Sequence, residues 1–167
     1  IMKYSLIIAG LVLLIVGLLL YISIPLYYPG YGTINDVFKA NRGATSLGPN
    51  ESEIIKNISA QRGDAILFLV LTGNVNVSLL NSSKMPIINQ QRDISVALNQ
   101  STYYIQLINT GNTSVNVTYT YGIFNAESIS NFYYGLGIFE TFLEILILIG
   151  GAMILWAAIS WILTKRK

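Results

Sequence analysis

Two runs without a single charged residue stand near opposite ends of this 167-residue chain, and they constrain everything between them. The first, Tyr4 to Ile24, has 21 residues. As a helix rising 1.5 Å per residue it is about 31 Å long, one hydrocarbon core. Pro25 stops the run, and Tyr21, Tyr27, Tyr28 and Tyr31 supply an interfacial aromatic belt. A signal peptide would have a shorter apolar core, about 7–15 residues, followed by an A-x-A-like cleavage site that this sequence lacks. The run reads as an anchor. The second, Ile145 to Leu163, has 19 residues and stops at Thr164-Lys165-Arg166-Lys167. Lysine and arginine collect on the cytoplasmic side of spans. With Lys3 outside one run and three basic residues outside the other, both termini are expected in the cytoplasm and residues 29–135 on the extracellular side of the cell membrane.

Composition narrows the chemistry. Charged residues make up 11% of the chain, against about 25% in an average soluble domain. The absence of cysteine and histidine excludes disulfides, thiolate chemistry, zinc fingers, histidine-ligated haem or copper, and every Ser-His or Cys-His catalytic arrangement. A net charge of +2 is too small for a nucleic-acid footprint. No calcium loop, P-loop, Gly-rich nucleotide fingerprint or G-x-S-x-G elbow is present. Of Asp36, Glu51, Glu53, Asp64, Asp93 and Glu127, only Glu51 and Glu53 would share a strand face, and they overlap the Asn50 sequon and read as solvated; the sequence sets no pair face to face, as glycoside hydrolysis requires. The chain therefore reads as no enzyme, with no catalytic, cofactor-binding or metal site.

The intervening segment reads as strands. Val75, Val77 and Leu79 alternate with Asn74, Asn76 and Ser78; Val115, Val117, Tyr119 and Tyr121 alternate with Asn116, Thr118 and Thr120. Period 2 means one buried and one wet face. Further strands are expected over 54–59, 65–71, 93–98 and 102–108, punctuated by Thr72-Gly73-Asn74, Asn81-Ser82-Ser83 and Asn109-Thr110-Gly111-Asn112. The run Ala65–Leu71, apolar on both faces, reads as a central strand covered on both sides; the rival is an outer face that docks another subunit. The expected architecture is an α+β membrane protein in which two transmembrane helices flank an extracytoplasmic antiparallel β-sandwich or jelly roll. Its parts are an N-terminal helix over 1–28, a linker over 29–50 with a strand near Ile34–Lys39, the sandwich over 51–135, and a C-terminal helix with basic tail over 136–167.

Asn-x-Ser/Thr acceptors occur at Asn50, Asn57, Asn76, Asn81, Asn99, Asn112 and Asn116. Chance pairing within a segment of this composition would give about two or three, so N-linked glycans are expected on some of them. Asn76 and Asn116 fall on the expected wet faces. Uncharged polar side chains dominate the segment, which carries six basic and six acidic residues.

Small residues recur seven apart in the spans: Gly10 with Gly17, Gly150 with Ala157, Gly151 with Ala158. Small side chains let helices approach in lipid. Counting depth from Lys3 and Lys165 pairs Gly10 with Ala158 and Gly17 with Gly151 in an antiparallel hairpin. Glu140 and Glu144 stand at i and i+4 at the outer edge of the second span. Carboxylates there are favoured by the helix dipole; the alternative is an ion pair or partner contact.

The stretch from Glu53 to Phe124 is similar in style to GOLD-type and pre-peptidase C-terminal β-sandwich modules. The residues that carry the likeness are Gly63-Asp64 before an apolar strand, then Gly73-Asn74-Val75-Asn76-Val77, then Ser101–Leu107 before Val115–Tyr121. The resemblance implies a domain that binds or assists rather than catalyses. The cysteine pair of GOLD cargo adaptors, and the coiled coil before their C-terminal span, are missing. The Ile/Asn/Tyr-rich, cysteine-free composition resembles archaeal surface proteins. Taken together, the expectation is a non-catalytic accessory or assembly subunit of a larger membrane complex, in contact with lipids and other integral subunits, its sandwich covering the outer face. The alternative is a stand-alone surface or envelope glycoprotein for adhesion or ligand binding. A small channel fits least, since neither span carries midplane polar residues.

Overall fold

The computed structural model describes residues 2–166; Lys167 of the basic tail and the side chain of Lys3 lie outside the description. The elements in order are α1 (Met2–Ile22), α2 (Ile24–Tyr27), α3 (Tyr31–Ala40), β1 (Gly43–Leu47), β2 (Ser52–Ala60), β3 (Asp64–Thr72), β4 (Asn76–Leu80), β5 (Pro86–Gln91), β6 (Asp93–Ala97), β7 (Ser101–Ile108), β8 (Val115–Asn125) and α4 (Ala126–Lys165). They fall into two compact units, residues 33–131 on the one hand and the residues before and after them on the other.

In the first unit the strands form two four-stranded sheets, ordered β1-β8-β3-β6 and β2-β7-β4-β5, with every neighbouring pair antiparallel. The period-2 pattern sets which residues are covered: Ile66, Phe68 and Val70 of β3, Val77 and Leu79 of β4, Tyr103, Ile105 and Leu107 of β7, and Val117 and Tyr119 of β8. These join Leu47, Ile58 and Ile94 in one cluster drawn from both sheets. Phe68 lies at its centre, stacked on Tyr119 at 5.4 Å and on Tyr121 at 6.5 Å between ring centroids. Burying each such large apolar side chain contributes about 1.5–3 kcal/mol.

Several expectations need correction. Residues 29–50 are not a linker, and 34–39 is not a strand: α3 and β1 occupy the stretch. Ile34, Val37 and Phe38 recur at i, i+3 and i+4, which is helical rather than strand spacing. Phe38 packs edge-on against Phe124 at 5.7 Å, its carbonyl accepts from the Thr120 hydroxyl, and the Asn41 amide donates to the Tyr121 carbonyl at 3.0 Å. Val37 lies over Gly122, where a side chain would collide with the Phe124 ring and press on Val37 Cγ1 at 3.2 Å. In this way α3 covers part of β8. Leu67 and Leu69 of β3 pair with Gly122 and Thr120, the β8 positions beneath α3, and both are half-buried. Leu71, at the bulge between Val70 and Thr72, is 40% exposed.

The last helix starts at Ala126, so residues 126–135 are helix and not sandwich. Asn125 caps it, its side-chain oxygen accepting from Ser128 N–H at 3.0 Å, and Glu127 stands in the first turn where the dipole favours an acid. Ser78, expected on a wet face, is 1% exposed. Its short side chain lies on an interior strand between Gln106 and Asn89.

The second unit is a pair of apolar helices. At 40 residues α4 is about 60 Å long, roughly twice the thickness of a hydrocarbon core. Both helices are long and apolar enough to cross a membrane, and only 11% and 17% of their most apolar windows is buried within the chain. They run antiparallel and touch at glycines: a side chain on Gly10 would lie 2.8 Å from the Gly150 carbonyl oxygen, and one on Gly17 would lie 2.8 Å from Ile147 Cγ1. The contacts therefore depart from the expected pairs, Gly10 with Ala158 and Gly17 with Gly151, by four to eight residues, about one to two turns. Backbone approach at Gly10 and Gly150 sets the register, whereas counting from the lysines assumed equal flanks. Beyond α1, Ile24 joins Leu136 and Leu143 in a small buried cluster edged by Tyr28, Tyr31, Phe132 and Phe139.

Candidate functional site

Four of the six carboxylates of residues 33–131 accept local hydrogen bonds. Glu51 accepts from Gly48 N–H at 2.6 Å and Asp64 from Gln61 N–H at 2.8 Å, each closing a turn. Glu53 accepts from the Thr45 hydroxyl at 2.8 Å, and Asp93 from Val70 N–H at 3.4 Å. Among the described residues no three acidic side chains come together as a metal cluster would require. Tyr119 sits where β1 and β2 edge the two sheets, and its hydroxyl is held above its ordinary pKa, first by burial and then by the Glu53 charge. Lys56 stands over the Tyr121 ring at 5.8 Å.

The seven sequons differ in accessibility. Asn50, Asn57, Asn99, Asn112 and Asn116 are exposed, whereas Asn76 and Asn81 are half-buried. The Asn81 side-chain oxygen is spent inside the β4–β5 loop, accepting from Ser83 and Met85 N–H at 3.0 and 2.9 Å. Asn116 accepts from the Ser46 hydroxyl at 2.5 Å. Asn50 and Asn112 come together: Asn50 N–H donates to the Gly111 carbonyl at 3.2 Å. A residue that sequence reasoning read only as part of a turn, Asn109, holds those two loops. Buried to 3% exposure, its amide nitrogen donates to the carbonyls of Leu47, Gly48 and Thr113, and its oxygen accepts from Gly111 N–H. The signal for it was an asparagine directly after an apolar strand end, able to bond backbone on both sides.

In the helix pair, Gly10, Gly17, Gly150 and Ala157 are buried, Ala158 is exposed, and nothing lies within 4 Å of where a side chain on Gly151 would start. Glu140 is half-buried and Glu144 exposed on α4; the Tyr21 hydroxyl points at Glu144 from 3.4 Å. No lysine or arginine occurs at residues 4–32 or 132–164; the basic residues of this unit, Lys3, Lys165, Arg166 and Lys167, all fall within the first three and last three residues of the sequence. A shallow groove of about 610 Å³ runs along α4, lined by Tyr133, Tyr134, Gly137, Ile138, Thr141, Phe142 and Ile145.

No protein-family model matches this chain, and no curated protein does. Among solved structures it is similar to PliG of Aeromonas hydrophila, a periplasmic inhibitor of g-type lysozyme, at 14% identity and TM-score 0.44 over 50% of this chain and 84% of that one. It is also similar to a de novo designed double-stranded β-helix, at 12% identity and TM-score 0.31 over 48% of this chain and 97% of the design. A third is Drosophila melanogaster CENP-C bound to CAL1, at 18% identity and TM-score 0.32 over 50% and 66%.

Proposed function

We propose that the chain is a two-span membrane protein and a non-catalytic accessory or assembly subunit of a larger membrane complex. In this reading both termini are cytoplasmic, and residues 43–125 form an extracellular jelly roll of the strand order given above. The observation that carries the proposal is the bare apolar surface of the two helices. They bury little against one another, although their contact is as close as glycine permits. Small residues at a helix contact favour packing in lipid, and the surface left over is available to lipid and to neighbouring subunits.

A second reading, a stand-alone surface glycoprotein, is favoured by the exposure of five sequon asparagines. The two readings part in one experiment: extraction of the native protein in mild detergent, native-gel separation, and mass spectrometry of the band. Stoichiometric co-migration with larger multi-span proteins is the expected result. Migration alone or as a homo-oligomer overturns the subunit proposal. Mass increments at Asn50, Asn57, Asn99, Asn112 or Asn116 in the same sample test glycosylation, and labelling of introduced cysteines from the outside only at residues 43–125 tests the orientation.

A further inference from the structure

We infer that a cavity on the outward face of the β1-β8-β3-β6 sheet, where α3 ends, binds an aliphatic carboxylate, with Arg42 holding the acid group and Leu71 the hydrocarbon. The inference stands apart from the accessory-subunit reading, because every residue it uses lies within 33–131 and the helix pair plays no part.

The cavity follows from how α3 covers β8. Buried Leu47, Val117 and Tyr119 fix the inward faces of β1 and β8, so Ala44 and Thr118, which pair across the two strands, face outward. Farther along β8, Val37 and Phe38 cover the same outward face at Thr120, Gly122 and Phe124. The helix stops at Ala40, and beyond its end the small side chains of Ala44 and Thr118 are left without a lid. What remains is a space of about 420 Å³, lined by Arg42, Gly43, Ala44, Leu71, Thr118 and Tyr119.

The apolar wall comes from a fault in the strand ladder. Leu71 lies on β3, an interior strand between β8 and β6, at the break in register between Val70 and Thr72. Strict alternation from buried Val70 would send Leu71 outward and Thr72 inward. Thr72 instead meets Thr118, its hydroxyl 2.6 Å away, so two successive side chains share the outward face. Bulges of this kind re-aim side chains and recur beside binding sites. Here the bulge leaves a leucine 40% exposed in the wall of a cavity, apolar surface that an apolar occupant would remove from water.

The polar wall is made of donors. Arg42 is exposed, and among the described residues no carboxylate pairs with its guanidinium. Its planar fork matches the two oxygens of a carboxylate. In the Thr72–Thr118 pair, whichever hydroxyl donates, the accepting one keeps its own proton to offer. Phosphate would find one cation and press its remaining charge against Leu71. A carboxylate needs a single fork and brings its own alkyl group to the leucine, so both walls are used together. The acid can be a free branched-chain acid or the last residue of a peptide, since both present the same two groups.

The test follows amide shifts of the full chain in detergent as N-acetylleucine is added, with saturable changes expected at 42–44, 71–72 and 118–119. N-acetylleucinamide, which keeps the alkyl group without the charge, and acetate, which keeps the charge alone, should each bind about tenfold more weakly or worse. Arg42→Gln should weaken N-acetylleucine about tenfold or more, the loss of a charge-assisted hydrogen bond, and Leu71→Ala several-fold. Lys84→Gln, an exposed lysine on the β4–β5 loop, should change nothing. Unaltered melting of the sheet signal checks the fold of each variant. 4-Methylpentanoate, which lacks the peptide group, separates the sources: affinity equal to N-acetylleucine identifies a free acid, and weaker binding a peptide end. Shifts that do not saturate, that inorganic phosphate or N-acetylleucinamide reproduces at equal concentration, or that survive Arg42→Gln overturn the inference.

Discussion

The β unit and the helix pair treat apolar surface in opposite ways. In the β unit the large apolar side chains close over one another: Ile66, Phe68, Ile105 and Leu107 have no exposed surface at all. In the helix pair the contact runs along a narrow seam at Gly10, Gly17 and Gly150 and a small cluster around Ile24, and Leu148, Leu155 and Trp156 remain 65% or more exposed. One region is finished by its own residues; the other is finished only by surroundings. Compositional hydrophobicity alone hides this difference, because both regions are rich in Ile, Leu and Val. What separates them is period: alternation directs half the side chains of a strand inward, while α1 and α4 are apolar all round.

That contrast breaks first where the closed core is opened. Phe68→Ala removes the ring at the centre of the cluster, and cavity formation at such a site costs about 3–5 kcal/mol. For a unit of roughly 100 residues the expected fall in melting temperature is about 12 °C or more. Both tryptophans, Trp156 and Trp161, are on α4, so tryptophan emission of the full chain in detergent reports the helix pair alone. The sheet signal in circular dichroism should melt early while the tryptophan transition stays in place. Simultaneous loss of both would show that the two regions are not energetically separate.

The next effect belongs to the seam. Gly10→Leu drives a side chain into the Gly150 carbonyl, and overpacking of this kind costs about 1–3 kcal/mol. The distance between spin labels at Ile8 and Leu155, both exposed, should lengthen. Gly151→Leu, with open space before it, should leave that distance alone. An unchanged distance in Gly10→Leu would remove the contact at Gly150.

A comparable or smaller effect is expected at Asn109, which ties the β1–β2 and β7–β8 loops. Asn109→Ala leaves the Gly48 and Thr113 carbonyls without their donor, a loss of about 1–3 kcal/mol. Amide exchange should quicken at 48–51 and 109–114 and hold elsewhere in the β unit. A uniform rise in exchange would mean that Asn109 supports the whole fold rather than these two loops.

What could be read in advance follows the same division. Strands β4, β7 and β8 announce themselves through alternation in sequence, and β3 through an unbroken apolar run. Edge strand β5 gives no such signal: five of its six residues are exposed, so nothing imposes a pattern on Pro86–Gln91. The helix α3 was hidden by Gly32, Asn35 and Asp36, which look like loop residues; the spacing of Ile34, Val37 and Phe38 was the better guide, since packing against β8 decides the matter. The start of α4 was missed, since 126–135 was assigned to the sandwich; the signal for it was Asn125 and Glu127, a cap followed by an acid. Helix pairing was legible in kind, because glycines mark close approach, but its register is set by how Gly10 and Gly150 fit together, and no one-dimensional count contains that. The groove at Gly137 is likewise a product of which α4 face α1 leaves free.

The smallest expected effect sharpens the boundary of the closed core at Tyr119. Burial and the Glu53 charge both favour its neutral hydroxyl, so its pKa is higher folded than unfolded. For an acid shifted in that direction, the stabilisation is fully present below the unfolded pKa, about 10, and is lost as pH rises through the folded value. Stability of the wild-type β unit should therefore be flat in this respect up to about pH 9 and decline above pH 10. Tyr119→Phe keeps the ring stacked on Phe68 and removes the titrating group, so its alkaline decline should be shallower. Glu53→Gln should give an intermediate slope, because burial, the larger cause, remains. Equal slopes for wild type and Tyr119→Phe would mean that the hydroxyl is solvated, and that the closed region ends at the Phe68 ring rather than at the edge strands β1 and β2.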